Sequence, residues 1–418
     1  MSVPDGASPA LTRQRPFVLF WFSRLAVTVA YHMLIVAIGW TIYDLTNSAL
    51  NLGLVGLIQF VPNVILTLLV GHAADRYDRR YIVIAAQVFY ALAALTVLVV
   101  LVSPVKSVNL LFFAVLVLGC ARAFELPASS ALVPTLVPQA LISRAVAAWA
   151  SANQTAVICG PAAGGLIYAV SPALVCILAI ACCVIGTVLV SQIKVERPPV
   201  PREPPSFASV LAGFEFIRTR PRLLGIITLD LIVVLFAGVA ALFPIYARDI
   251  LAAGPETLGL LRSAPAIGAL VTTVALSHFP IERHVGAVMF GVVGIFGVAT
   301  IVFALSTSLP LSMTALAILG AADSISVVIR FSLVQIETPD EMRGRVGAIN
   351  YLFVGASNTL GEFRAGAVAA VIGAVPSALV GGLGSLLVAV LWMMLFPSLR
   401  RIDRYEPADR PGARKCMF

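Results

Sequence analysis

Apolar residues form long, nearly continuous runs along the chain, separated by short polar loops. The first run extends from about Phe17 to Tyr43, and the last from about Ser377 to Pro397. Runs of about 20 apolar residues are long enough to cross a bilayer as helices. A membrane β-barrel would instead show short strands of alternating polarity. The pattern predicts an all-α integral membrane protein with twelve transmembrane helices.

The second half of the chain repeats landmarks of the first half at a constant spacing of 201 residues. The matches are Leu118-Gly119 with Leu319-Gly320, Pro138 with Pro339, Arg144 with Arg345, Ala147 with Ala348, Gly160 with Gly361 and Gly165 with Gly366. We therefore expect two pseudo-symmetric six-helix bundles. The predicted boundaries are residues 1–193 for the first bundle, 194–221 for a Pro-rich cytoplasmic linker, and 222–418 for the second bundle with a cytoplasmic tail. Helical spacing in the linker predicts a helix over Phe207–Arg218 along the membrane surface.

Charge sets the expected orientation of these spans. Hydrophobic residues make up 60% of the chain and charged residues 11%, against about 25% charged residues in soluble domains. Most of the 28 Lys and Arg residues fall in loops on one side, and only Lys106 and Arg248 are assigned to the other side. The positive-inside rule then predicts cytoplasmic termini in a plasma membrane, with a bacterial inner membrane expected. The net charge of +8 reflects this topology, so we expect no nucleic-acid partner.

The loop after the second predicted span combines a glycine, a carboxylate and a basic cluster. The residues are Gly71, Asp75, Arg76, Arg79 and Arg80. A glycine lets two helices approach closely, and an aspartate at a helix end can pair with Arg or with a helix N-terminus. The spacing resembles the signature loop G-x-x-x-D-R-x-x-R-R of the major facilitator superfamily, which implies a gating role. In the second half, at an offset of 203 residues, His278 stands at the position equivalent to Asp75, so we expect an asymmetric gate.

The fifth predicted span carries a second motif, composed of Gly160, Pro161, Gly164 and Gly165. It is similar to the G-P-x-x-G-G element of drug:proton antiporters in that superfamily, although Ala156 replaces a frequent glycine. This resemblance implies export. The alternative is ordinary helix packing, because Gly and Pro are common in transmembrane helices.

Two further stretches are similar to one branch of the superfamily, which holds enterobactin exporters and macrolide efflux proteins. One stretch is Pro339–Val346 followed by Gly355–Phe363, and the other is Glu125–Ala128 in the fourth span. The resemblance extends over the whole chain. It implies a transporter, but it does not identify the substrate.

Ionisable residues within spans are costly to bury and are therefore functional candidates. The expected substrate and proton pathway comprises Arg24, His32, Arg122, Glu125, Asp230, Asp323 and Arg330. By resemblance, these residues lie on the first, fourth, seventh and tenth spans, which line the cavity in the superfamily. Glu125, Asp230 and Asp323 are the candidates for carrying a proton, and Asp230 has no obvious partner nearby in sequence. Arg262, Glu362 and Arg364 are expected to make interhelical contacts.

Pairing among these charges has two readings. Arg122 and Glu125 are three residues apart and share a helix face, as do Asp323 and Arg330, which are seven apart. Arg122 and Asp323 occupy equivalent positions in the two halves, so they could also face each other. The alternative to a role in transport is a set of structural ion pairs.

The motifs for ATP-driven transport and for catalysis are missing from the sequence. It contains no G-x-x-x-x-G-K loop, nucleophile elbow, metalloprotease motif or dinucleotide fingerprint. We therefore expect no enzyme activity, no catalytic residues, no metal and no cofactor, with a proton gradient as the energy source.

The sequence thus predicts a monomeric, proton-coupled efflux transporter that works by alternating access. Its expected partners are protons, the lipid bilayer and a small amphipathic substrate such as a drug, a siderophore or a metabolite. The alternatives are an importer of a sugar or organic acid on the same fold, and a transport-inactive membrane sensor or scaffold.

Overall fold

The computed structural model describes residues 11–104, 106–194 and 207–405, with the backbone alone for residues 63, 67–76 and 207–211. This part of the chain is helical and contains no β-strand, which confirms the all-α prediction. The helices are α1 (Arg15–Thr46), α2 (Ala49–Arg76), α3 (Arg79–Val102), α4 (Val108–Leu132), α5 (Ile142–Val170), α6 (Pro172–Ser191), α7 (Phe207–Arg218), α8 (Pro221–Ala237), α9 (Pro255–His278), α10 (Val285–Leu305), α11 (Leu309–Glu337), α12 (Asp340–Ile372) and α13 (Ala374–Leu395). Short helical turns lie at Leu11–Arg13, Val133–Thr135, Gln139–Leu141, Val239–Leu242, Phe243–Ile245, Tyr246–Ile250 and Pro397–Arg400.

Ten helices in the described part of the chain are long and apolar enough to cross a membrane. The helices α5 and α12 are also long, but both are too polar to meet that criterion. The helix α12 begins with Asp340 and Glu341 and contains Glu362 and Arg364. The count of twelve spans therefore stays a prediction.

The sequence repeat reappears in the helix boundaries and in the packing. The helix α4 begins at Val108 and α11 begins at Leu309, which are 201 residues apart. In the first half α3 packs against α4 and α6, and in the second half α10 packs against the equivalent helices, α11 and α13. Equivalent helices thus have equivalent neighbours in the two halves.

The described residues belong to two compact units. One lies within Met1–Thr41 and Val61–Pro204, and the other lies within Ile42–Phe60 and Pro205–Phe418. The segment Ile42–Phe60, from the end of α1 and the start of α2, thus belongs to the second unit, although the predicted boundaries place it in the first bundle. We call the two units the amino-terminal and carboxy-terminal units.

Each unit has its own apolar core. In the amino-terminal unit, Phe20, Val83 and Leu132 are among the buried residues that pack α1, α3 and α4 together. In the carboxy-terminal unit, the core draws on α8, α10, α11 and α13, with Ile329 and Phe290 fully or nearly fully buried. These cores fix the positions of the helices that carry the buried charges.

The predicted linker helix over Phe207–Arg218 is present as α7. Ile217 on α7 is buried, and a Cβ added at Gly213 would lie 2.8 Å from Ile349 Cδ1 on α12. The helix α7 therefore packs on α12, and its location along a membrane surface stays a prediction. Residues 195–206 of the predicted linker lie outside the described residues.

Candidate functional site

A buried ion pair links α1 to α4 in the amino-terminal unit. Arg24 binds Glu125, and each side chain is only 2% exposed. Arg24 Nη2 also donates to Asn153 Oδ1 on α5 at 3.3 Å, and the Tyr90 hydroxyl on α3 donates to Glu125 Oε2 at 3.3 Å. Side chains of four helices thus meet around this ion pair.

Arg122 lies beside this pair. Its guanidinium carbon is 4.3 Å from the centroid of the Tyr31 ring, and it hydrogen-bonds the Tyr90 hydroxyl. Glu125 thus has a partner on another helix, and the same-helix pairing of Arg122 with Glu125, one reading of the sequence, stays a prediction. Arg24 approaches Glu125 across the helix contact, and an aromatic face attracts the Arg122 cation. We call Arg24, Glu125, Tyr90, Arg122 and Asn153 the amino-terminal cluster.

A second buried ion pair links α8 to α11 in the carboxy-terminal unit. Arg330 Nη1 binds Asp230, and the side chains are 9% and 8% exposed. Arg330 Nε donates to Ser326 Oγ at 3.1 Å and to the Ser326 carbonyl at 3.2 Å. Asp230, which has no obvious partner nearby in sequence, thus finds one on another helix.

Asp323 shares a small cavity with this second pair. The cavity is lined by Asp230, Asp323, Ser326 and Arg330, and otherwise by apolar side chains of α8, α10 and α11. The centre of a water-sized sphere can reach about 10 Å³ of it, which is room for about one water. Asp323 forms no salt bridge with any described residue. We call Asp230, Asp323, Ser326 and Arg330 the carboxy-terminal cluster.

The antiporter-like motif lies where α5 packs tightly on α1. A Cβ added at Gly160 would lie 2.7 Å from His32 Cβ, and one at Gly164 would lie 2.8 Å from Met33 Cα. Pro161 and Gly165 are buried in the same helix. His32, a pathway candidate in the sequence, therefore contributes to this helix contact, and its ring also meets that of Tyr31 edge-on.

The basic loop after α2 binds the carboxyl ends of neighbouring helices. Arg79 Nη1 donates to the Ala131 carbonyl at 3.0 Å near the end of α4, and Arg80 Nη1 donates to the Ile193 carbonyl just beyond α6. Cations are favourable at these positions because the last carbonyls of a helix carry partial negative charge. The side chains of Asp75 and Arg76 and the surroundings of Gly71 are not among the described parts of the chain, so the gating role stays a prediction.

Sequence reasoning missed the helix cap in this loop. Asp78 precedes α3, and its Oδ1 accepts a hydrogen bond from the Arg80 backbone amide at 2.9 Å. An aspartate directly before a long apolar helix is a typical N-cap signal, and it would have identified this residue.

A polar contact around Arg248 was also missed. Within the carboxy-terminal unit, Arg248 Nη1 lies 3.6 Å from Asp44 Oδ1, and Arg248 also donates to Asn47 Oδ1. The Tyr43 hydroxyl donates to the neighbouring Asp249. One sequence gives no signal for these contacts, because the partners are about two hundred residues apart.

The charges expected to make interhelical contacts lie at another contact of the carboxy-terminal unit. Arg364 on α12 donates to the Phe236 carbonyl on α8. Arg262 on α9 interacts electrostatically with Glu362, which packs closely against Gly56 of α2. These residues join helices, as the sequence predicted for them.

A sequence profile described as "transmembrane secretion effector" matches residues 7–412. The chain belongs to this family of the major facilitator superfamily. The transmembrane secretion effector family is one of transporters and not of enzymes.

Two relatives match this transporter over nearly the full length of both chains. The multidrug efflux pump Tap of Mycolicibacterium fortuitum is 29% identical over 410 residues, covering 94% of this chain and 98% of the relative. The enterobactin exporter EntS of Salmonella typhimurium is 25% identical over 400 residues, covering 95% and 96%. The resemblance to the enterobactin exporter branch is confirmed.

Solved structures share the fold of this transporter at low sequence identity. A bacterial homologue of the human lysosomal transporter Spinster has a TM-score of 0.74 at 13% identity and covers 96% of this chain and 100% of that one. A bacterial homologue of the iron transporter ferroportin has a TM-score of 0.72 at 16% identity and covers 94% and 100%. The major facilitator fold is confirmed by this similarity.

Proposed function

We propose that this transporter exports a small amphipathic compound in exchange for protons, by alternating access. The observation that carries the proposal is the carboxy-terminal cluster, where two carboxylates and a single arginine line one cavity between apolar helices. An ionisable group within a membrane span is costly to keep and usually serves transport. Two carboxylates beside one cation leave an excess negative charge, which a proton can neutralise.

Export is favoured by the relatives and by the antiporter-like motif. The relatives named above are an efflux pump and an exporter. The tight packing of α5 on α1 through Gly160 and Gly164 suits a seal on one face of the transporter. The spans consist mostly of Ala, Val, Leu, Ile, Gly and Phe, so an amphipathic drug, siderophore or other metabolite suits them better than a sugar.

In the export cycle, the inward-facing state would bind substrate and release a proton, and the outward-facing state would release substrate and take up a proton. The energy comes from the proton gradient. A proton that binds the two states unequally shifts their populations. We further propose that the transporter works as a monomer in a bacterial inner membrane, with both termini in the cytoplasm.

The test compares a deletion strain with strains that express the wild type or the Asp323→Asn variant. The wild type should lower the accumulation of ethidium and of other compounds in a panel of amphipathic drugs and siderophores. A protonophore should abolish this effect while ATP levels are maintained by fermentation.

The control for this test is Glu282→Gln, which neutralises an exposed loop carboxylate. Asp323→Asn should lose efflux at wild-type abundance in the membrane, and Glu282→Gln should retain it. Uptake of labelled sugars or organic acids in place of efflux would contradict export. A phenotype that survives both Asp323→Asn and the protonophore would contradict proton-coupled transport.

A further inference from the structure

The carboxy-terminal cluster has an unbalanced charge. Asp230 and Asp323 supply two negative charges, and Arg330 supplies one positive charge. The described helix α10, which completes the cavity wall, contains no ionisable residue. No second cation therefore faces the cavity from α8, α10 or α11.

Arg222, Glu337 and Arg262, elsewhere on the surrounding helices, are engaged with other partners. On α8 and α11, Arg222 and Glu337 bind each other at 3.4 Å. On α9, which packs against α11, Arg262 interacts with Glu362 of α12. The excess negative charge at the cavity is therefore not offset by these residues. A buried charge without compensation is strongly unfavourable, so a bound proton is the economical neutraliser.

The two carboxylates of the cluster are not equivalent. Asp230 is in a direct ion pair with Arg330, which balances its charge. Asp323 has no salt bridge with any described residue and borders the cavity with room for about one water. A water at that place can deliver a proton to Asp323 and accept one from it. Asp323 is thus the carboxylate that gains most from protonation.

We propose that Asp323 is the binding site for the coupling proton. Arg330 is then a positioning residue, whose contact with Asp230 on α8 changes with the charge of Asp323. The assignment rests on the proposed proton-coupled transport and specifies the site within it. With a proton on Asp323, Arg330 binds Asp230 and ties α11 to α8. When the proton leaves to solvent, the charged Asp323 competes with Asp230 for Arg330.

The geometry of α11 favours this competition. Asp323 and Arg330 are seven residues apart, so they lie on the same face about two turns from each other. Ser326 lies between them and holds Arg330 Nε. Arg330 can therefore keep this anchor while its outer nitrogens turn from one carboxylate to the other. Loss of the proton would thereby weaken the link between α8 and α11.

The test is infrared difference spectroscopy of the purified protein in lipid as pH is raised, with and without ¹³C-labelled aspartate. A buried protonated carboxyl gives a carbonyl band that disappears on deprotonation, and the label shifts that band only if an aspartate holds the proton. The wild-type band should shift with the label. Asp323→Glu should keep a carboxyl band that no longer responds to the label, whereas Asp230→Glu should retain the labelled response.

Glu362→Gln is the matched control, because it removes another carboxylate within a helix of the same unit, and it should leave the labelled band intact. A label response that is lost in Asp230→Glu but kept in Asp323→Glu would overturn the assignment, as would a wild-type protein without a titrating band. The measurement needs no transported compound. A wild type that moves no compound in vesicles but shows the band at Asp323 would contradict the proposed function and support the proton site.

Discussion

The two buried clusters use the same helices of the repeat with opposite charge. In the amino-terminal cluster, the first helix supplies Arg24 and the fourth supplies Glu125. In the carboxy-terminal cluster, the first helix of the second half supplies Asp230 and the fourth supplies Arg330. The same helix-to-helix link is thus kept after duplication, while its polarity is reversed.

The excess charge of the clusters is also reversed, at positions 201 residues apart. Arg122 gives the first cluster an excess positive charge, and its equivalent Asp323 gives the second an excess negative charge. The excess cation lies on the Tyr31 ring and beside the Tyr90 hydroxyl, which compensate a permanent charge. The excess carboxylate borders a cavity, where we propose that a proton binds and leaves. Under the proposal, one unit carries a fixed structural charge and the other carries a titrating charge.

The largest expected effect is on stability, and it should differ between the two ion pairs. Glu125→Gln leaves Arg24 buried without a carboxylate, which should cost about 3–5 kcal/mol. Asp230→Asn leaves Arg330 with Asp323 as a substitute acid, so its cost should be clearly smaller. Thermal unfolding of both purified variants in the same detergent measures the difference. Equal destabilisation by the two substitutions would refute a substitute role for Asp323.

A smaller effect is expected at the glycine contacts of the two units. Gly164→Ala would bring a Cβ within 2.8 Å of Met33 Cα, and Gly361→Ala would bring one within 2.7 Å of the Val234 carbonyl oxygen. Each should destabilise its unit by about 1–3 kcal/mol through overpacking. Gly294→Ala is the control, because nothing lies within 4 Å of its added Cβ. If Gly294→Ala is as harmful as the other two in thermal unfolding, close packing at Gly164 and Gly361 does not explain the losses.

The smallest effect is expected at the contact around Arg248. Partly exposed ion pairs contribute about 0–1 kcal/mol, so Arg248→Ala should barely change the unfolding temperature. It should nevertheless increase labelling of a cysteine placed at Ser48, because the contact holds Asp44 and Asn47 to Arg248 within the carboxy-terminal unit. Lys106→Ala, at the other cation assigned to that side, is the control. Unchanged labelling would show that this contact does not restrain the segment.

The helical fold and the duplication could be predicted because both leave regular marks on the sequence. Long apolar runs indicate helices that lie in a membrane, and the constant spacing of pairs such as Gly160 and Gly361 indicates the repeat. The helix α7 was also predicted, because its apolar residues follow helical spacing. The count of spans could not be predicted as directly, because α5 and α12 carry polar residues. Their composition alone does not decide whether they cross the membrane.

The pairing of charges could not be predicted from spacing. Arg122 and Glu125 share a helix face, yet Glu125 binds Arg24, which is about a hundred residues away in sequence. Neighbours on one helix are visible in a sequence, whereas partners on packed helices depend on the tertiary structure. The resemblance to the superfamily indicated which four helices carry the charges, but it did not indicate the contacts between them.

The most direct test of proton-coupled export is counter-transport in proteoliposomes that contain only the purified protein. Vesicles loaded with a pH-sensitive dye receive ethidium, or another compound that the cell panel identifies, on one side without ATP. Movement of the compound should drive protons the opposite way, and an imposed pH gradient should accumulate the compound against its own gradient. Compound movement without any proton movement, or with protons moving in the same direction, would contradict the account.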